Sequence, residues 1–560
     1  MTDPARRGRR LRPSVLAASA AIVLAALAFW HGCLDDFFAQ DDFLFLEWTA
    51  ALERGGGLPV SALLRPGPVD NTYRPLSTIL FFPAMHAVFG QDAFPFHLAS
   101  VILHLASCLL LYAAAASLWG DRTLALVGAL FFLTRSAFYV TVYWVSCVQE
   151  LLACLFGLLY VLAWIHHARK PSAWRLGGAC LAYVLAAASK ESALSLVACA
   201  PLLWFAATRG EARGSRRAGL ASLLPLVAAG ALYHGLHRHV VADHESMATL
   251  GAPALDRLPL FLSWLASGTY TQGPALRYGG VAAWLLLLLL PAAAARRSHD
   301  AKAARGAPLL FLAMFGIAAL PMVLVRDRLA QYYGYLPGAF ATLGVVAAVA
   351  IVAELSRRRR PVVHGLSWLL LLASAGLEYR TLLAKDRPEF LAAPTATADA
   401  RGLPFATNVG RDWSGGWLNP TFRRKIANLH EGLRERWPHD PVPGGRVVLA
   451  GWYDFMVASN LRSAWPQRLR PVSTTEAMLR TFTGDPDLVV TDVLPDLSGL
   501  HPEHRRYYLT PAGVESYLAS GGEALVVFSH PLDGTVIEVM TAGPDDREPV
   551  RRRLDAFFAR

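Results

Sequence analysis

Residues 174–208 read WRLGGACLAYVLAAASKESALSLVACAPLLWFAAT, apolar beyond Arg175 except at Ser189-Lys190-Glu191-Ser192. As one helix this stretch would be about 50 Å long at 1.5 Å per residue, against a hydrocarbon core of roughly 30 Å. A lysine and a glutamate in mid-hydrocarbon would also be costly. Folded back as a helical hairpin, the same residues give two arms near crossing length, with Lys190 and Glu191 at the tip. Both outer ends of the hairpin are basic, Arg169 to Arg175 and Arg209 to Arg217. Basic loops stay on the cytoplasmic side, so the tip faces away from the cytoplasm.

The same reading extends along the chain. Spans are expected at 13–30, 95–118, 122–134, 143–165, 174–189, 191–208, 217–236, 280–295, 307–325, 333–353 and 362–377. The first has a basic flank like a signal peptide, but its length and lack of a convincing cleavage site favour an uncleaved anchor. Residues 76–90 are apolar too. Counting them as a span would put the later arginine tufts outside, so they read as an interfacial or re-entrant helix. Residues 259–269 read as an amphipathic piece on the outer surface. About eleven transmembrane helices with the N-terminus cytoplasmic leave the C-terminus extracytoplasmic.

Composition agrees. Of 560 residues, 54% are hydrophobic and only 17% charged, and the mean hydropathy is +0.35. Soluble domains carry about 25% charged residues, and disordered chains lack hydrophobic content, so both classes are excluded. The net charge of +11 comes with arginine tufts between apolar runs, not with a basic face interleaved with aromatics. A nucleic-acid partner is therefore not expected. The six cysteines, Cys33, Cys108, Cys147, Cys154, Cys180 and Cys199, form no CxxC pair and read as small buried hydrophobes.

Past residue 385 no segment could cross a bilayer. Strand-like stretches at Arg446–Ala450, Leu488–Asp492, Ala524–Ser529 and Thr535–Met540 alternate with helical periodicity at Thr421–Trp437 and Glu476–Thr481. The expected organisation is an all-α polytopic membrane domain, residues 1–384, followed by a small extracytoplasmic α/β domain, residues 385–560. The second has no glycine-rich phosphate loop and no His/Cys cluster.

The polar residues that need explaining fall at outer ends of spans. Asp41-Asp42 is an acidic doublet embedded in apolar residues, FAQDDFLFL. Desolvation and mutual repulsion favour proton uptake there, which suits a general base or a metal ligand. The other reading is a helix N-cap, since Asp42 begins an apolar-periodic stretch. Asp35-Asp36 reads as structural. Arg74, just before 76–90, either binds phosphate or anchors at the headgroups. His97 is placed for substrate, and His104 reads as a hydrogen-bonded intramembrane histidine. Glu150, the Lys190-Glu191 tip, Arg326-Asp327-Arg328 and Tyr332-Tyr333-Gly334-Tyr335 share the membrane face of Asp41-Asp42. Such a face could hold an anionic lipid headgroup and deprotonate an acceptor.

These motifs together resemble the GT-C superfamily of polytopic glycosyltransferases, nearest to protein O-mannosyltransferase-like members, including those with tetratricopeptide repeats. The resemblance runs in order through Asp41-Asp42, Tyr73-Arg74-Pro75-Leu76, Phe96-His97-Leu98 to His104, Phe138 to Trp144, Lys190-Glu191-Ser192, Arg328, and Tyr333-Gly334-Tyr335-Leu336-Pro337. It implies a sugar donor linked to polyprenyl phosphate and inversion by direct displacement. It makes Asp41 the catalytic base, with Asp42 as partner or metal ligand, so a divalent metal cofactor stays open. It assigns the donor phosphate to Lys190 and Arg328, with Arg74 beside them. His97, Glu150, Glu191, Tyr333 and Tyr335 are the expected substrate-binding side chains. No tetratricopeptide array follows, which leaves the acceptor open among protein, glycan and lipid. The expectation is a glycosyltransferase of a bacterial inner membrane. A lipid-linked sugar flippase, with charges near the midplane, and a non-catalytic assembly protein are the rivals.

Overall fold

The structure is a computed structural model. It describes residues 13–39, 41–67, 72–208, 214–241, 307–324, 331–385, 420–437, 442–452, 473–494, 508–530 and 534–559, with Leu497 and scattered positions between 262 and 293.

The membrane part is a run of apolar helices: α1 (Pro13–Trp30), α2 (Asp41–Arg54), α3 (Phe81–Phe89), α4 (Ala93–Trp119), α5 (Arg122–Leu133), α6 (Tyr139–Tyr143), α7 (Val148–Arg169), α8 (Ala173–Ser189), α9 (Ala200–Ala207), α10 (Gly214–Val241), α11 (Ala307–Leu324), α12 (Tyr335–Leu355) and α13 (Arg360–Lys385). Their ends follow local chemistry. Asp92 caps α4 by accepting from the Phe94 N–H at 3.0 Å, and Gly120, at φ +70°, ends it. Asp121 then caps α5 through the Leu124 N–H at 3.1 Å.

Among the described residues six helices are long and apolar enough to cross a bilayer. They are seven if α5 and 136–143, bent by 46° at their junction, form one broken span. The Pro75–Phe89, α8 and Glu191–Ala207 segments are apolar but shorter. In the expected span at 280–295 the described positions, 281, 282, 284–289 and 293, are helical, whereas the surface piece at 259–269 lies outside the described residues except at 262 and 265. The protein is a multi-pass, mainly helical membrane protein.

The hairpin reading has a direct geometric counterpart. α8 stops at Ser189, and Lys190 is extended at φ −157° and ψ 128°. The returning segment runs beside α7, where Tyr160 donates to the Leu196 carbonyl and Trp164 to the Ala200 carbonyl. It runs antiparallel to α8, with Tyr183 donating to the Leu194 carbonyl. Close approach elsewhere depends on small residues: a Cβ on Gly128 of α5 would lie 2.3 Å from the Val346 side chain of α12.

The break after α5 would orphan carbonyls at membrane depth. Leu133 O instead accepts from Trp30 Nε1 at 3.0 Å and His104 Nε2 at 3.2 Å. At the same break Arg135, 3% exposed, pairs with Glu378 of α13 at 2.9 Å, and Glu378 also accepts from the Ser136 N–H at 2.8 Å. At the other end of α5, Asp121 pairs with Arg360 at 2.7 Å and His364 at 2.9 Å. The two clusters hold α5 and α13 side by side and pointing the same way.

The C-terminal part contains α14 (Pro420–Arg436), β1 (Arg446–Ala450), α15 (Ser473–Thr483), β2 (Val489–Val493), β3 (Tyr508–Leu509), α16 (Pro511–Gly521), β4 (Ala524–Ser529), β5 (Val536–Ala542) and α17 (Arg547–Phe558). The strands form one sheet in the order β3-β2-β1-β4-β5, parallel except for β5. Side chains alternate across it. Val448, Ala450, Val526 and Phe528 pack with residues of α16 and α17 in a separate small core. Val447, Leu449, Leu525 and Val527 join residues of α14 and α15 in a core continuous with the membrane part. The contact is specific: the Phe482 ring of α15 is 5.6 Å from Phe43 and 6.2 Å from Phe37, and His430 of α14 is 5.6 Å from Phe37. Arg480 pairs with Glu47 of α2 at 2.8 Å. The sheet domain is seated on the helix that carries the aspartate doublet.

Candidate active site

The two aspartates at the start of α2 stand in different surroundings. Asp42 is 1% exposed. Its Oδ2 accepts from the Ala39 N–H at 2.9 Å, while the Ala39 carbonyl accepts from the Asp42 N–H at 3.1 Å. The carboxylate reaches back to a backbone N–H three residues earlier, as the acidic residue of a capping box does. Its Oδ1 accepts from the Ser146 N–H at 2.7 Å and from the Ser146 hydroxyl. One carboxylate thus ties the start of α2 to the turn that opens α7. Trp144 reinforces the tie by donating from Nε1 to the Ala39 carbonyl at 3.1 Å. Asp41 is half-buried beside it. Asp41, Asp42, Glu150 and Lys190 all lie within electrostatic reach of Cys147.

Next to the doublet, consecutive residues form interlocking charge pairs. Lys190 Nζ bonds Glu150 Oε1, with both side chains 5% exposed or less. Arg74 grips Glu191 bidentately, through Nε at 2.6 Å and Nη2 at 2.5 Å, and donates to Gln149 Oε1 through Nη1. Gln149-Glu150 on the first turn of α7 and Lys190-Glu191 at the hairpin tip therefore meet as a ladder, closed on one side by Arg74. Aromatic rings cover the lysine, with Tyr333 at 4.7 Å and Tyr332 at 5.5 Å from Nζ, and Trp144 packs on Tyr332 at 5.8 Å. Pairing is what makes buried charges of both signs tolerable here.

Of the residues singled out by sequence, Asp41, Asp42, Arg74, Glu150, Lys190, Glu191 and Tyr333 come together at this rim. Arg328 lies outside the described residues. His97 is fully buried, with Nδ1 3.6 Å from Cys33 Sγ. Tyr335, expected with Tyr333 among the substrate-binding side chains, turns into the core. His104 Nε2 must donate to the Leu133 carbonyl, so Nδ1 accepts, and the Tyr335 hydroxyl donates to it at 2.6 Å. One residue step along a starting helix swings a side chain by about 100°, which separates Tyr335 from its neighbours. For a metal, no group of three or more His, Cys, Asp or Glu side chains gathers among the described residues. Asp42 directs both oxygens at chain donors.

Sequence reasoning missed Arg135 and Glu378, although each is a lone charge in or beside an apolar run and carried the signal of an intramembrane ionisable residue. It also missed Ser146 and Gln149 as partners.

Residues 74–234, which contain the ladder, match the family described as dolichyl-phosphate-mannose-protein mannosyltransferase. The match makes this segment, 161 of the 560 residues, similar to that family of membrane glycosyltransferases. No curated protein matches it in a sequence search. Solved structures that align with the chain include ArnT from Cupriavidus metallidurans bound to undecaprenyl phosphate, at 16% identity and a TM-score of 0.43, over 91% of this chain and 92% of that one. The arabinofuranosyltransferase AftD from Mycobacteria aligns at 15% identity and 0.46, over 94% of this chain and 36% of AftD. The Archaeoglobus fulgidus oligosaccharyltransferase, tethered with an acceptor peptide, aligns at 9% identity and 0.37, over 79% and 62% of the two chains.

Proposed function

We propose that the protein transfers one sugar from a polyprenyl-phosphate donor to an acceptor hydroxyl on the extracytoplasmic side of a bacterial inner membrane. In this reading residues 1–384 form the catalytic membrane domain and 385–560 an extracytoplasmic domain. The observation that carries it is the convergence of Asp41 with the Lys190–Glu150 and Arg74–Glu191 pairs at one rim. The family description of residues 74–234 names the matching donor chemistry.

The chemistry asks little of a nucleophilic side chain, because phosphate is already a good leaving group. The acceptor oxygen attacks the anomeric carbon as the carbon–oxygen bond to phosphate breaks, and Asp41 takes the hydroxyl proton. Lys190 and Arg74 stabilise the negative charge that grows on the departing phosphate. In the resting protein both are held by glutamates, so an arriving phosphate exchanges with Glu150 and Glu191 and meets cations already positioned. Attack opposite the leaving group inverts the configuration.

The test is to supply purified protein in lipid nanodiscs with radiolabelled polyprenyl-phosphate sugar and follow donor consumption against Asp41→Asn. The wild type consumes donor and the variant is slower by at least a hundredfold. No consumption by the wild type with any hexose or pentose donor would reject the reading.

A further inference from the structure

A cavity of about 630 Å³ lies where the sheet domain meets the outer end of α4. Its polar lining comes from both parts of the chain: Gln91 and Asp92 from the start of α4, and His430, Arg434, Trp437 and Thr483 from the C-terminal part. Its floor is aliphatic, from Leu433, Leu479, Val447 and Leu525. The volume falls within the roughly 300–1,000 Å³ of small-molecule sites. None of these residues belongs to the aspartate doublet or the charge ladder.

We propose that this cavity binds a saccharide, the glycan of the acceptor. The inference rests on the sugar-transfer reading above and names the acceptor class that reading leaves open.

Three observations point to it. The charges of the lining are one aspartate and one arginine, which cancel and suit a neutral polar ligand. Asp92 only accepts hydrogen bonds and Arg434 only donates, Thr483, whose hydroxyl proton goes to the Leu479 carbonyl at 2.9 Å, accepts, and Gln91 and the imidazole of His430 do both. Burial and the nearby Arg434 hold His430 below its ordinary value, so it is neutral at pH 7 and keeps one donor and one acceptor. Vicinal hydroxyls demand such a mixture, and a site built for hydroxyls rejects ligands that lack them. Finally, Trp437 and Phe482 offer flat faces for the C–H side of a sugar ring.

Position links the cavity to the chemistry. His430 and Phe482, 4.3 Å apart, line the cavity on one side and pack on Phe37 on the other. Phe482 also touches Phe43, the residue after Asp42. Through Phe37 and Phe43 the cavity wall is thus in contact with the start of α2, where Asp41 stands.

The experiment is saturation-transfer NMR and calorimetry on the full chain in nanodiscs, with mannotriose, maltotriose, an arabinose trisaccharide and a threonine-rich peptide as probes. At least one trisaccharide should bind with a Kd near or below 1 mM. Trp437→Ala should weaken it at least tenfold, Trp437→Phe less, and Arg434→Ala at least fivefold, all with unchanged melting temperature. Lys190→Ala, assayed in parallel, should retain saccharide binding. No saturable Trp437-dependent binding of any trisaccharide would overturn the proposal, as would binding of the peptide alone at this site. Saccharide binding without donor consumption would instead retain the cavity and reject the transfer reading.

Discussion

Exchanging each aspartate of the doublet for asparagine separates a structural from a chemical role. Asp42→Asn keeps one carbonyl oxygen for the two Ser146 donors but turns an NH₂ toward the Ala39 N–H, which then faces a donor. A hydrogen bond to a charged group contributes about 1.5–3 kcal/mol, and the two remaining bonds lose their charge assistance. The expected loss is about 2–4 kcal/mol of stability, seen as a melting temperature lowered by several degrees or as earlier unfolding in a denaturant series. Asp41 is half-buried, and its exchange should cost less stability than that of Asp42. Removing a general base slows proton transfer by about 10²–10⁴-fold, so Asp41→Asn should lose transfer while melting closer to the wild type than Asp42→Asn does. The assay is paired: thermal melting and single-turnover donor consumption on the same preparations. An Asp42→Asn protein as stable as wild type but inactive, beside an active Asp41→Asn, would refute the assignment.

Three further outcomes follow from the packing. Lys190→Met leaves Glu150 buried beside an apolar neighbour and should cost about 3–5 kcal/mol, whereas Lys190→Met with Glu150→Leu should recover most of that stability and none of the donor consumption; melting of the single and double variants decides it. Burial raises the Asp121 pKa, but Arg360, the Leu124 N–H and His364 outweigh it and hold the carboxyl below the ordinary 3.8. Its contribution is therefore present above that value and lost as pH falls through the folded one, so melting below about pH 4 should be less pH-dependent in Asp121→Asn. Gly128→Ala pushes a methyl into Val346 and should destabilise by about 1–3 kcal/mol, with Gly128→Ala combined with Val346→Ala restoring part of the loss in the same melting assay.

Much of this architecture can be read from local pattern. The apolar run 93–119 ends where Gly120 permits a positive φ, and the strands at 446–450 and 524–529 stand where branched apolar residues cluster. The break at Lys190 follows from bilayer thickness alone. The convergence of charges at the rim is legible for the same reason, since each sits at the end of a span whose direction is set by its basic flanks. Partners are not legible. Nothing periodic connects Asp42 with Ser146, or Ser136 with Glu378, 242 positions apart. Tyr333 and Tyr335 look alike in sequence and separate only when a helix begins between them. The seating of α14 and α15 on Phe37 and Phe43 is a contact between surfaces about 400 residues apart, and its aromatic residues read equally well as ordinary core.

The two sides of the five-stranded sheet live under different constraints. Residues that α16 and α17 cover answer only to one another, so that half can drift, lengthen or acquire new loops without disturbing anything nearer the lipid. Residues beneath α14 and α15 share their packing with Phe37 and Phe43, and a bulkier or smaller side chain there would be felt at the aspartates. Diversification of the outer domain should accordingly be lopsided, free on its distal half and matched, substitution for substitution, on the half that rests against α2.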